Sequence, residues 1–299
     1  MNIKQIAIIG QTASGKSALA IDLALQIDAY ILSLDSLSIY KEIDIVSAKP
    51  TVKEQQGIPH FGIDEIYPNE PFSVATFISL YKEVYTKCTN EGKPLIIVGG
   101  TSFYLKAMID GISPMPKLGS ATIEEVDEIL SNLPQAYEML CKIDSKYASN
   151  IASSDRYRIQ KALEIYLQTS TPPTLYFQEN PPKPVIEGKL DIYEILWDRD
   201  SIRDRIHKRT KQMVDSGLID EIAYLEYKYT RTPNPMKAIG IKETLDYLDG
   251  RVTKDELIQK ISTNTARLAK RQKTFNNSQF RDITKDTLTN LKKTLKSLY

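Results

Sequence analysis

The sequence predicts an α/β protein built on a parallel sheet with helices on both faces. Three observations carry this. Apolar, β-branched runs occur at Ile6-Ala7-Ile8-Ile9, Ile31-Leu32-Ser33-Leu34 and Leu95-Ile96-Ile97-Val98. Stretches with the apolar spacing of one helix face separate them, as in Leu19, Ala20, Leu23, Ala24 and Ile27. Each run also ends in residues suited to a tight turn or a ligand: Gly10 to Ser17, Asp35-Ser36 and Gly99-Gly100-Thr101. Strands alternating with helices imply a parallel sheet covered on both sides. Ligands of such sheets bind beyond the carboxyl ends of the strands, so these three turns are expected around one ligand.

The first turn is the most informative. Gly10-Gln11-Thr12-Ala13-Ser14-Gly15-Lys16-Ser17 fits the phosphate-loop pattern G-x-x-x-x-G-K-[ST] at every fixed position, between a strand and a helix. The backbone N–H groups of such a loop converge on an anion, and the helix dipole adds positive potential. Lys16 supplies a point charge for the outer phosphate, and the Ser17 hydroxyl suits Mg²⁺. The fold class is therefore a P-loop NTPase-like sheet, and the ligand carries a di- or triphosphate-like group. Many phosphate-loop ATPases end a second strand in an Asp that helps hold the metal. Here Leu95–Val98 ends in two glycines, and only Asp35 directly follows a strand. That carboxylate is either a metal-site group or a general base, and both readings stay open at this point.

Phe72 to Tyr85 reads as a helix. From about Ser113 the pattern changes, with Pro114 and Pro116 ending the alternation. Residues 117–178 read as an all-helical insertion, and 1–116 with 179–299 as the sheet domain. Within the insertion, Arg156 to Leu167 is a helix with Ser153 or Ser154 as its N-cap, apolar at Ile159, Ala162, Leu163 and Tyr166. Arg158 and Lys161 share another face. After the proline-rich punctuation at 172–173 and 181–184, Leu190 to Trp197 returns as a strand of the main sheet. The rest reads as helical: Ile202 to Val214, rich in Arg and Lys, then a long helix opened by the capping box Thr253-x-x-Glu256. That last helix points Leu257, Ile258, Ile261 and Leu268 inward, and Arg267, Lys270, Arg271 and Lys273 cluster near its end.

Charge is unevenly distributed. The chain has 299 residues and a net charge of +1, yet residues 199–299 carry 22 basic against 13 acidic side chains, and residues 1–198 carry 17 against 25. A basic C-terminal third suggests a polyanionic partner. No run has the length of a membrane span, and the first strand begins too early for a signal peptide, so a cytoplasmic protein with no membrane partner is expected. Cys88 and Cys141 are too few for a zinc site or a disulfide framework. His60 and His207 are read as structural or solvated, and most tyrosines as packing.

Several stretches together resemble the bacterial tRNA dimethylallyltransferases, also called IPP transferases. They are the loop at 10–17, Asp35-Ser36-x-x-x-Tyr40, Ala48-Lys49-Pro50, Ile58-Pro59-His60, and Gly99-Gly100-Thr101 with Tyr104-Leu105. Further on come Gln160 to Glu164, Gly217 to Glu221, Ala238 to Glu243, and Ala269-Lys270-Arg271-Gln272. They keep the family's order over nearly the whole chain. The resemblance implies transfer of a dimethylallyl group from dimethylallyl diphosphate to N6 of the adenine 3′ of the anticodon (position 37), in tRNAs reading codons that begin with U. Pyrophosphate leaves, Mg²⁺ assists, and the enzyme is expected to act as a monomer.

Carried onto this chain, the resemblance makes Lys16, Asp35, Thr101 and Arg205 catalytic. Gly10, Gln11, Thr12, Ala13, Ser14, Gly15, Lys16, Ser17 and Arg209 would hold the diphosphate, with Ser17 as metal ligand. The tRNA would meet Asp35, Ser36, Leu37, Ser38, Thr101, Tyr157, Arg158, Ile159, Gln160, Lys161, Lys270 and Arg271. The insertion would grip the anticodon stem-loop. Ser38 stands where the family has Gln, Ser102 where it has Gly, Gln11 where Pro is common, and Phe275-Asn276-Asn277 where it has Trp-Phe-Arg. Two other enzyme readings accommodate the loop: an adenylate isopentenyltransferase acting on free nucleotide, and a small-molecule kinase. A non-catalytic RNA-binding protein is a third alternative, opposed by the intact Gly15-Lys16-Ser17 and Asp35.

Overall fold

The structure is a computed structural model and describes residues 2–298. The chain forms two compact units, one of residues 1–109 with 185–299 and one of residues 110–184. The second is wider at both ends than the 117–178 insertion read from the sequence, because Ile112 and Lys183 form an antiparallel bridge that closes its base.

The first unit opens with β1 (Gln5–Gly10), α1 (Lys16–Ile27), β2 (Tyr30–Ser33), α2 (Val52–Gln55), β3 (His60–Phe61), α3 (Val74–Glu91), β4 (Leu95–Gly99) and α4 (Ser102–Asp110). Helix α3 starts at Val74 rather than Phe72 because the Ser73 hydroxyl caps it, accepting from the Thr76 N–H. It runs six residues past Tyr85, to Gly92 at φ 65°. After the second unit come β5 (Leu190–Leu196), α10 (Arg199–Asp215), α11 (Leu218–Tyr229), a 3₁₀ turn at Asn234–Lys237, α12 (Ile241–Leu248), α13 (Lys254–Gln279), β6 (Thr284–Thr287) and α14 (Leu288–Leu298). The second unit holds the helices between them: α5 (Ser120–Leu130), α6 (Leu133–Ile143), α7 (Ser145–Ala148), α8 (Arg156–Thr169) and α9 (Pro173–Glu179).

The six strands form one sheet in the order β3-β2-β4-β1-β5-β6, every pair parallel. Strand β1 is central and wholly buried. Its register sets Ile9 beside Gly99 of β4 and Gly10 beside Ile195 of β5, while Ser33 of β2 lies beside Val98. The carboxyl ends of β1, β2 and β4 are therefore level, which brings the three turns together.

One face of the sheet packs Ile6, Ile8, Ile31, Ile96 and Ile195 under α1 and under Leu291 and Leu295 of α14. Each such fully buried leucine contributes about 1.5–3 kcal/mol over exposure. A second core joins Ile39, Ile43 and Val46, after β2, to Val214, Leu218, Ile222, Leu245, Leu257 and Ile261.

The C-terminal region is not purely helical. Thr284–Thr287 adds a strand against β5, where Lys285 pairs with Glu194 and lies 3.0 Å from its carboxylate. The sequence Thr-Lys-Asp-Thr has no apolar alternation, so nothing in it announces a strand; the partner strand recruits it. Glu194 also accepts from the buried Asn276 amide at 2.8 Å. Within the second unit, α8 is capped by Asp155, whose carboxylate accepts from the Arg158 N–H, and not by Ser153 or Ser154.

Candidate active site

The phosphate loop runs from the end of β1 into α1. Its lysine is folded back: Lys16 Nζ donates to Gln11 O at 2.6 Å and lies 3.5 Å from Ser14 Oγ. Burial lowers its pKa from the ordinary lysine range to about 7, assisted by the nearby Arg209 and opposed by Asp35. An anion entering the loop would favour the protonated ammonium that burial disfavours. Helix α10 supplies two arginines. Arg205 Nε donates to Ala13 O at 2.7 Å, and its guanidinium lies 4.6 Å from the Trp197 ring centre. Trp197, just after β5, donates its indole N–H to Ser14 O at 3.0 Å. Arg209 is held below the usual arginine range by burial, partly offset by Asp35.

Asp35 follows β2. Its Oδ1 accepts from the N–H groups of Leu37 and Ser38, at 2.9 and 3.3 Å. These bonds form an Asx-type turn that fixes the carboxylate and leave Oδ2 without a hydrogen bond among the described residues. Thr101 sits across from it. The Thr101 N–H donates to Leu34 O at 3.1 Å, and its hydroxyl accepts from the Ser36 N–H at 3.2 Å. Gly99 permits this: a Cβ there would stand 2.1 Å from Leu34 O.

The loop, Asp35 and the two arginines surround one open cavity of about 880 Å³, while Ser36, Thr101 and Trp197 lie behind its lining. Thr12, Ala13, Ser14, Gly15, Lys16, Ser17, Asp35, Ser38, Gly99, Gly100, Arg205 and Arg209 line it. Gly10 and Gln11 do not: Gly10 is packed against β5, and Gln11 turns its amide to Ala269 O at 3.2 Å, so both shape the loop from beneath. Leu37 turns its side chain toward the second core. Leu268, expected inward, lines the cavity instead. So do Ile45, Ser47, Lys49, Lys208, Gln212, Met213 and Gln272, which the sequence reading missed as site residues. Gln272 lies inside the Ala269–Gln272 block, but basic charge drew attention to its neighbours. Lys270 and Arg271 are exposed on α13.

In the second unit, Tyr157 and Arg158 are exposed, while Gln160 and Lys161 both bond the buried Glu164, at 2.9 and 2.7 Å. Ile159 is wholly buried among Val126, Leu130, Ala136, Leu140 and Leu163. Its side chain belongs to the helical core and not to an RNA-facing surface, because the helix period turns it away from the exposed face that carries Tyr157 and Arg158.

Among the described residues no group of three or more His, Cys, Asp or Glu could cage a metal ion. The exposed Ser17 and the neighbouring Asp35 suit an ion held mainly by diphosphate oxygens and water, which is how Mg²⁺ binds.

A parallel sheet, a phosphate loop at its carboxyl edge, two arginines from a later helix and an oriented carboxylate across one cavity define a phosphate-loop protein of the α/β class, with groups for acting on a phosphorylated substrate. The family follows from comparison. The family model described as IPP transferase matches residues 38–279, and the chain belongs to that family. It is 57% identical to the tRNA dimethylallyltransferase of Sulfurovum sp. over 98% of this chain and 97% of that one. It is similar to the full-length tRNA isopentenylpyrophosphate transferase of Bacillus halodurans, with a TM-score of 0.71 and 33% identity, covering 99% of this chain and 94% of that one. It also resembles a eukaryotic dimethylallyltransferase acting on tRNA, with a TM-score of 0.84 and 25% identity over 99% of this chain and 77% of that one.

Proposed function

We infer that this chain is a tRNA dimethylallyltransferase: it transfers the dimethylallyl group of dimethylallyl diphosphate to N6 of adenine 37, in tRNAs reading codons that begin with U. The observation that carries the reading is that the phosphate loop and Asp35 share a single cavity in a chain that matches its relatives over nearly its whole length.

The residues suit the chemistry. The diphosphate lies against the N–H groups of the loop, with Lys16, Arg205 and Arg209 matching its charge. Transfer forms the N6–C1 bond and breaks the C1–O bond, so negative charge grows on the departing pyrophosphate, where these cations act. N6 is a weak nucleophile because its lone pair is delocalised into the ring. Asp35, oriented through Oδ1, accepts the N6 proton on Oδ2 as the new bond forms. Thr101 holds the backbone beside Asp35 in place. Mg²⁺, bound by the Ser17 hydroxyl and the diphosphate, would neutralise leaving-group charge.

The adenine leaves the anticodon stack to reach the cavity. The exposed Tyr157 and Arg158 of the helical unit, and Lys270 and Arg271 of α13, suit contacts to the stem-loop by stacking and to phosphate. Lys161 and Gln160 are already paired to Glu164, so their part is smaller.

The test uses radiolabelled dimethylallyl diphosphate and Mg²⁺ with three acceptors: an anticodon stem-loop carrying A37, the same stem-loop with G37, and free AMP. Label is expected in the first only, lost in Asp35→Ala while pyrophosphate binding persists. Label in AMP would move the chain to the free-nucleotide enzymes. ATP hydrolysis with no label anywhere would leave the kinase reading.

A further inference from the structure

We propose that Gln272 is a positioning residue for the transfer step, keying the diphosphate half of the cavity to the acceptor half. The proposal rests on the reading given under Proposed function.

Gln272 lies on α13 and lines the cavity. Its Oε1 accepts from the Thr12 N–H of the phosphate loop at 2.8 Å, and its Nε2 donates to Gly100 O at 3.0 Å. One neutral amide thus spans the gap between the turn after β1 and the turn after β4. From Gly100 the path continues through Thr101, which donates to Leu34 O and accepts from the Ser36 N–H beside Asp35. The loop that holds the leaving group and the carboxylate that takes the proton are therefore joined through a single side chain. The loop has a second tie to the same helix, from Gln11 Nε2 to Ala269 O at 3.2 Å.

The seat is built for this side chain. A Cβ on Gly100 would stand 2.5 Å from Gln272 Nε2, so only glycine lets the amide close on that carbonyl. Gly100 is not in the left-handed region. Its lack of a side chain therefore serves the approach of Gln272 rather than the backbone conformation. Glutamine also fits by chemistry. The span needs one acceptor and one donor on the same planar group. Glutamate would set a carboxylate against a carbonyl, and lysine would offer nothing to the Thr12 N–H.

Reaction between two bound groups depends on their relative placement, and an error of about 1 Å can cost on the order of 100-fold. Losing the Gln272 span leaves each half able to bind and impairs their alignment. Gln272→Ala, Gln272→Glu, Gly100→Ala and the double variant Gln272→Ala/Gly100→Ala would be compared with the wild-type chain in the stem-loop transfer assay. Pyrophosphate affinity and melting temperature would be measured in parallel. With both substrates saturating, Gln272→Ala and Gly100→Ala should each lower kcat about tenfold or more, with pyrophosphate Kd within about threefold of wild type. Gln272→Glu keeps the bond to Thr12 and should lie between. The double variant should be no worse than the poorer single one, because both remove the same span.

A kcat within about twofold of wild type in Gln272→Ala would overturn the proposal. So would additive losses in the double variant, or a loss of pyrophosphate affinity as large as the loss of kcat, since the last makes Gln272 a ligand contact. A wild-type chain that transfers no label would instead overturn the enzymatic reading itself.

Discussion

Glu221 should prove to be the residue that holds one wall of the cavity. It stands near the start of α11, and its carboxylate accepts the N–H groups of Asp44, Ile45 and Val46 at 3.0, 2.6 and 3.0 Å. Asp44 is exposed, so water replaces its bond readily; Ile45 is half-buried and Val46 buried. A buried donor left without a partner costs about 1–3 kcal/mol. Two such donors, one of them partly reachable by water from the cavity, put Glu221→Ala at about 2–4 kcal/mol. Burial raises the Glu221 pKa above the ordinary glutamate range despite the three N–H bonds, with a further upward push from the Asp44 carboxylate. A raised folded pKa means that ionised Glu221 opposes folding above the ordinary glutamate pKa, so its charge is tolerated for the sake of these bonds. Glu221→Gln keeps one acceptor and drops the charge, and should cost less than half as much. Urea denaturation at pH 7 measures both. Because Ile45 and Ser47 line the cavity, Glu221→Ala should also raise KM for the diphosphate substrate. An unchanged midpoint for Glu221→Ala, or a glutamine variant less stable than the alanine one, would refute the reasoning.

Two further perturbations test the frame around the site. Gly99→Ala places a Cβ 2.1 Å from the Leu34 carbonyl oxygen, backbone against backbone between adjacent strands. It should destabilise the sheet unit by more than about 3 kcal/mol or yield insoluble protein; a soluble variant with wild-type melting behaviour would contradict the close approach. His60 donates from Nδ1 to Ile58 O at 2.7 Å and is half-buried, and burial lowers its pKa below the ordinary 6.5. The unfolded chain therefore binds this proton more readily, and stability is lost as pH falls through 6.5. His60→Asn should lose less stability than wild type between pH 7 and 5, measured as the difference in denaturation midpoint.

The central strands, the phosphate loop, the Thr253 capping box and the Gly99-Gly100 turn were all legible in the sequence. Each is set by local chemistry: β-branched runs that must be buried on both faces, glycines at fixed spacing, a side chain that caps its own helix. The parallel alternation by itself implied that Lys16, Asp35 and Thr101 would meet at one edge. The family segments, taken in order along the chain, point to the reaction without any tertiary contact.

What only the tertiary structure decided lies in contacts between residues far apart in the chain. Thr284–Thr287 is a strand because β5 offers an unpaired edge and Glu194 a charge for Lys285. Ile159 and its neighbours differ in role because the helix turns one inward and the others out. Leu268 faces the cavity although its spacing fits a core position. Gln272 acquires its place from partners 260 and 172 residues away. A periodic pattern says which residues share a face; only packing says whether that face meets the core, solvent or the ligand cavity.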